Sequence, residues 1–288
     1  MIKELVEHIK EKNPKRILLQ LPEGLKTRAL EIAKGIEEEG IEVILSADPC
    51  YGACDLRDDE AMQLKCDLLV HVGHESFYKN FETSVSVLYY PWKMDLNIDN
   101  IDFSVIGEER IGLLTSLQYE DLLDVASSKL KEAGKKPVIG GKILGCFTGS
   151  AEKIKDKVDA FLFIGSGTFH STAVKGKKTY VLDLEKRRIE VSSDLPEKKR
   201  YARIAKAKEA ETFGILVSSK KGQFNLEKAE EARKYLKNKD KKAFILIMDE
   251  ISNEKLEGIK ADSFVNTACP RIELRKTINI DDLEEVFG

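Results

Sequence analysis

The sequence predicts an α/β fold built from three similar, Rossmann-like parallel units, and three observations predict it. Short apolar runs of strand length alternate with longer segments of helical period, the pattern of parallel sheets covered by helices on both faces. The alternation restarts twice along the 288 residues. Each of the three units carries an aspartate at the mouth of its third strand: Asp67, Asp159 and Asp262.

The elements follow in order. Residues 1–10 space their charges as a helix does and lack the apolar block of a signal peptide. Apolar runs at 17–21, 41–47 and 68–72 read as strands. Between the first two, Leu25, Ala29, Leu30, Ile32, Ala33 and Ile36 recur at helical spacing, and Gly40 closes the helix. The charged stretch 56–65 is a second helix, and 85–90 a fourth strand ahead of Pro91. Trp92 is expected to pack at a domain joint. The second unit has strands at 111–114 and 160–164, with a helix over 122–133 closed by Gly134. The third has strands at 214–217, near 244–248 and near 263–266, with a helix over 226–236.

This gives domains 1–106, 107–205 and 206–288, with joints near 102–109 and 194–211. The second joint carries Lys198, Lys199, Arg200, Arg203, Lys206 and Lys208, which reads as a solvated helix face. Hydrophobic residues at 42% supply a core, and charged residues at 34% a well-solvated surface. A formal net charge of −3 argues against a basic surface for DNA. No apolar run approaches the ~20 residues of a membrane span. A soluble, cytoplasmic protein is expected.

The five cysteines are Cys50, Cys54, Cys66, Cys146 and Cys269. An odd, scattered set is a poor disulfide framework. Cys50 and Cys54 begin a C-x3-C-x2-C pattern, but Arg57 stands where the third cysteine belongs. No C-x2-C pair of the zinc-ribbon type occurs. The repeats select three of the five. Counting 13 residues back from Asp67 and Asp159 gives Cys54 and Cys146; from Asp262 the same count gives Asp249. Counting seven forward from Asp262 gives Cys269, where the other units have His74 and Ser166.

All three cysteines thus fall in loops at carboxyl ends of parallel strands, the edge where open α/β sheets place their sites. Three units packed around a pseudo-threefold axis with those edges inward bring the three thiols together. Three thiolates suit an iron–sulfur cluster with one open iron. They also suit zinc, with His74 or Cys50 completing four ligands. The third reading is that they are separate buried cysteines.

A resemblance narrows the choice. Residues 19–25, Leu-Gln-Leu-Pro-Glu-Gly-Leu, and 48–55, Asp-Pro-Cys-Tyr-Gly-Ala-Cys-Asp, resemble the first domain of the 2-(3-amino-3-carboxypropyl)histidine synthases, the diphthamide-synthesis enzymes. Leu144-Gly145-Cys146 and Asn266-Thr267-Ala268-Cys269-Pro270-Arg271 look like that family's other two cysteine motifs. Gly165-Ser166-Gly167-Thr168-Phe169-His170 looks like its glycine-rich segment. The resemblance implies three α/β domains, each giving one cysteine to a 4Fe–4S cluster, in a homodimer. It implies that Cys54, Cys146 and Cys269 are the ligands and that the open iron binds S-adenosylmethionine (SAM). Reduction by an external electron donor then cleaves the bond from sulfur to the γ carbon. The 3-amino-3-carboxypropyl group passes to the C2 of a histidine in translation elongation factor 2, and methylthioadenosine leaves.

Around such a cluster, Gln20, Pro22, Glu23, Gly165, Ser166, Gly167 and His170 are the candidates for holding SAM, because glycine-rich turns at strand ends let backbone N–H groups approach a ligand closely. Cys50 is expected to be a small buried side chain and Cys66 core. His74 and His170, at strand ends, either contact substrate or support structure. Asp249 and Glu250 either orient a ligand amine or cap a helix at Ser252. Competing functions are a quinolinate-synthase-like Lewis-acid enzyme, a non-catalytic partner subunit of a diphthamide-synthesis complex, and a zinc-stabilised binding module.

Overall fold

The structure, a computed structural model, describes residues 1–76, 82–167, 169–193 and 195–288. Thr168 of the glycine-rich segment and Asp194 at the start of the second expected joint lie outside the described residues. The chain forms two compact units, Met1–Asn97 with Leu117–Asp121, and Ile98–Ser116 with Leu122–Gly288. Among the described residues, no helix is long and apolar enough to cross a membrane.

The first unit holds a parallel sheet of β1 (Arg16–Gln20), β2 (Glu42–Leu45), β3 (Leu68–Val72) and β4 (Ser86–Tyr90), in the order β2-β1-β3-β4. Successive strand residues face opposite ways, so each strand feeds two cores. Ile17 and Leu19 meet Leu5 and Ile9 of α1 (Ile2–Glu11) and Ile32 and Ile36 of α2 (Ala29–Glu37). Leu18 and Leu69 point the other way, to Ala61 of α3 (Asp58–Gln63) and to Cys66. The helix expected over 25–36 is split into a 3-10 turn, Glu23–Arg28, and α2. Trp92 is 2% exposed within this first core, under the Arg28 guanidinium at 5.3 Å, and so packs inside the unit instead of at a joint.

The second unit holds two sheets. One joins β5 (Arg110–Thr115), β6 (Lys136–Lys142), β7 (Ala160–Gly165), β8 (Thr179–Asp183) and β9 (Arg188–Val191) in the order β6-β5-β7-β8-β9, with only β9 antiparallel. Helix α4 (Leu122–Glu132) links β5 to β6, and the short α5 (Gly149–Glu152) follows β6. Before the other sheet comes α6 (Leu195–Lys208). That sheet joins β10 (Thr212–Ser218), β11 (Lys242–Met248), β12 (Ser263–Asn266) and β13 (Thr277–Asn279), all parallel, in the order β11-β10-β12-β13. Helix α7 (Leu226–Asn238) crosses from β10 to β11, α8 (Asn253–Leu256) precedes β12, and α9 (Leu283–Phe287) ends the chain.

The basic stretch near the second expected joint is helix, as its charge run implies, but one side of it is buried. Ile204 and Ala207 of α6 are buried with Phe213, Ile215 and Leu283, and Arg200 binds Asp282 and Glu285. Its basic residues hide an apolar stripe too sparse to stand out in the sequence.

The three repeated aspartates share one task. Asp67 accepts the backbone N–H groups of Lys15 and Arg16 at 2.7 and 3.0 Å. Asp159 accepts that of Arg110 at 3.0 Å, and Asp262 those of Glu211 and Thr212 at 3.2 and 2.8 Å. Each clips the start of its sheet's first, central strand to the start of the third. Arg110 also grips Asp159 through its side chain, which holds that carboxyl down at about 2.

Candidate cofactor site

All three sheets place their first strand centrally, with the second strand to one side and the third to the other. Their carboxyl ends therefore flank the point where strand order reverses, the usual ligand crevice of open α/β sheets. Cys54 lies between β2 and α3, Cys146 between β6 and α5, and Cys269 just after β12.

In the first unit, the Cys54 loop is fastened from below. Gln20, fully buried at the end of β1, donates from Nε2 to the backbone oxygen of Asp55 at 2.6 Å. Its Oε1 lies 2.8 Å from His71 Nδ1, and His71 Nε2 lies 3.1 Å from His74 Nδ1. Burial, then the neighbouring His74, pushes the His71 imidazole down to about 3, so the ring is neutral. Lys26 ties the same loop from the other side, donating to the backbone oxygens of Ala47 and Asp48 at 2.8 and 2.9 Å. Glu23, exposed, pairs with Lys26 at 2.5 Å. Pro22 packs against Gly73, whose φ of +87° puts the chain where a side chain is strained and where a Cβ would sit 2.9 Å from the proline ring. Gln20 directly, and Glu23 through Lys26, thus fasten the loop that carries Cys54, while Pro22 packs at the turn after β3.

In the second unit, Cys146 is exposed at the tip of a turn closed by reciprocal backbone bonds between Leu144 and Phe147. Cys269 is half-buried, and burial is the main reason its thiol is pushed up. The nearby Cys146 pushes it further, and Arg271 pulls it back. A metal binding here must displace those protons. The Cys269 loop is fixed by Asn266, whose Nδ2 donates to the Cys269 backbone oxygen at 2.7 Å and whose Oδ1 accepts from Ala268 N at 3.0 Å.

Arg271 reaches from this loop to the glycine-rich segment. It donates to the Phe169 backbone oxygen at 2.8 Å and to Thr172 Oγ1 at 2.7 Å, with its guanidinium 5.1 Å from the Phe169 ring. Beside it, His170 stacks on Phe163 at 5.9 Å. Burial, then Arg271, holds the His170 imidazole down at about 4. His170 Nδ1 and Arg271 Nε are buried and have no hydrogen-bond partner among the described residues. Two neighbouring thiols beside unsatisfied nitrogens suit a soft metal group with an anionic ligand.

At Gly165 a Cβ would strike the Phe163 ring at 2.7 Å, so its own strand already demands glycine there. Gly167 keeps its expected turn role, with a φ of +73°, and Ser166 stands half-buried beside it. Cys66 is core, as its position ahead of a buried strand implies, and burial raises its thiol. The Asp249 backbone oxygen accepts from Ser218 Oγ at 2.9 Å, while Ser252 caps α8 without a side-chain bond. Sequence reasoning missed Arg271, Asn266 and His71. Arg271 and Asn266 flank Cys269 by two and three residues, which was the available signal. His71 lay hidden inside an apolar strand.

The family model that matches, described as "Putative diphthamide synthesis protein", spans residues 21–279. The chain is 36% identical to the 2-(3-amino-3-carboxypropyl)histidine synthase of Pyrococcus horikoshii, over 94% of this chain and 83% of that protein. It is 29% identical to subunit 1 of the corresponding synthase of Schizosaccharomyces pombe, over 95% of this chain and 68% of that one. A crystal structure of Dph2 from Pyrococcus horikoshii with a 4Fe–4S cluster superposes with a TM-score of 0.86 at 32% identity, covering 99% of this chain and 89% of that one.

Proposed function

We propose a function from one premise: this chain belongs to the diphthamide synthesis protein family. In our reading it is a transferase that moves the 3-amino-3-carboxypropyl group of SAM to the C2 of a histidine in translation elongation factor 2, the first step of diphthamide biosynthesis. Three domains, 1–106, 107–205 and 206–288, each contribute one ligand, Cys54, Cys146 and Cys269, to a 4Fe–4S cluster. The cluster, when reduced, supplies the electron that cleaves SAM on its amino-acid side. The protein works as a cytoplasmic homodimer with an external electron donor.

The observation that carries this reading is the nearness of Cys146, on the loop after β6, to Cys269, just after β12: thiols from two different sheets lie close enough for Cys146 to push the Cys269 thiol up. The chain's own residues do the positioning. Gln20 and Asn266 hold the Cys54 and Cys269 loops through backbone oxygens. Arg271 and His170 present nitrogens on which an anionic group such as the SAM carboxylate finds donors, given that charge-assisted bonds are the strong ones. Gly167 lets the chain turn close to that ligand.

The test is transfer of label. Elongation factor 2 from an archaeal source, incubated anaerobically with this protein, dithionite and carboxyl-labelled SAM, should become labelled on histidine. Cys54→Ala, Cys146→Ala and Cys269→Ala should each abolish the labelling. No label with the cluster present would favour the partner-subunit or Lewis-acid readings.

A further inference from the structure

Cys50, His71 and His74 lie outside the set of cluster cysteines, yet their ligand atoms all fall within 4.8 Å of one another. They come from two loops and a strand of the first unit: Cys50 from the loop after β2, His71 from β3, and His74 just beyond it. Cys50 and His71 are buried and His74 half-buried.

The hydrogen bonds settle the His71 tautomer. Gln20 donates from Nε2 to a backbone oxygen that can only accept, so its Oε1 faces His71 Nδ1. An amide oxygen can only accept, so His71 Nδ1 carries the proton and Nε2 is bare. That bare nitrogen points toward His74 Nδ1 at 3.1 Å, with the Cys50 sulfur in the same cluster. This is how a metal-ligating histidine is held: one ring nitrogen bonds an acceptor behind it and the other faces the metal. In tetrahedral zinc, bonds of about 2.0–2.1 Å to nitrogen and 2.3 Å to sulfur put neighbouring donor atoms roughly 3.3–3.5 Å apart. The two imidazole nitrogens, 3.1 Å apart, need to open by only about 0.2–0.4 Å to meet that spacing, and the Cys50 sulfur lies within 4.8 Å of a nitrogen of each ring. A thiolate and two neutral imidazoles form a zinc donor set of three, leaving one position for water.

We propose that Cys50, His71 and His74 form a zinc site separate from the iron–sulfur ligands. Bound there, zinc staples the loop carrying Cys54 to the end of β3, alongside the Gln20 bond to Asp55. The inference does not depend on the transferase reading.

Metal analysis tests it. The full chain is stripped with chelator, equilibrated with zinc without oxygen, desalted and assayed for bound metal. A variant with Cys54, Cys146 and Cys269 all replaced by alanine guards against zinc lodging at those cysteines. That variant should still bind one zinc per chain, and adding Cys50→Ala or His74→Ala to it should abolish the binding. Circular dichroism confirms that each variant is folded, and Cys66→Ala serves as a replacement that leaves zinc in place. Gln20→Leu, which removes the support behind His71, should weaken zinc about 10–100-fold. Zinc retained after Cys50→Ala and His74→Ala overturns the proposal, as does its loss from the triple-alanine variant alone. In either case the three residues are a hydrogen-bonded histidine pair beside a buried thiol.

Discussion

His170 and Gly167 carry the sharpest expectations for single residues. The folded His170 sits at about 4, below its ordinary value, because it is buried and then because Arg271 is near. Between pH 4 and about 6.5 the unfolded chain binds a proton that the folded chain refuses, so stability falls as pH drops through that window and levels off below it. The slope is about 1.4 kcal/mol per pH unit, or roughly 2 kcal/mol at pH 5. Urea melts at pH 7 and pH 5 should show a loss to which the buried His71 also contributes, and His170→Gln should make that loss smaller by roughly 2 kcal/mol. Equal losses in both would detach the effect from this ring. At Gly167, φ is +73° and no atom of the described residues lies within 4 Å of where a Cβ would be, so space is not the constraint. Gly167→Ala should cost about 1 kcal/mol from backbone strain alone. Weaker SAM binding beyond what that modest strain explains would place the turn against the ligand. Gly165→Val is a poor probe of the same question, because its bulk meets Phe163 first.

The aspartate clips belong to the scale of the element. Counting from Asp67, Asp159 and Asp262 found the repeat in the sequence, and the structure shows why the count works. Each carboxylate joins the starts of two strands, so its place relative to the sheet cannot drift. Asp262→Asn keeps the shape and removes the charge from two backbone bonds. It should lower stability by about 1–2 kcal/mol, read as a drop in the urea midpoint with unchanged slope. Strands with apolar runs were legible: 68–72 matches β3 and 263–266 matches β12. Those without were not. Strand β6 contains Pro137, Gly140 and Gly141 and a register shift, and β13 has three residues. Strands β8 and β9 end the middle sheet as an antiparallel pair, which a reading based on parallel units does not anticipate. The buried stripe of α6 is not legible in its basic sequence, because burial of Ile204 and Ala207 is decided by contacts far along the chain.

Over the whole molecule, the threefold repetition was legible because it rests on period and spacing, which survive in sequence when identity does not. The ligand candidates followed from it, since strand ends are places that topology alone defines. The supports were illegible for the opposite reason. Gln20 beneath Asp55, and Arg271 reaching Phe169 from another sheet, are contacts across 35 and 102 residues that no local pattern encodes. Iron and sulfide assays on anaerobically reconstituted protein separate ligands from core: Cys54→Ala, Cys146→Ala and Cys269→Ala should each lose the cluster, and Cys66→Ala should keep it. The central claim is that this chain directs SAM cleavage toward the amino-acid side, and product analysis tests it most directly. Reconstituted protein, reduced with dithionite and given SAM alone, should release methylthioadenosine, and only when the cluster is reduced. Release of 5′-deoxyadenosine instead would contradict the account.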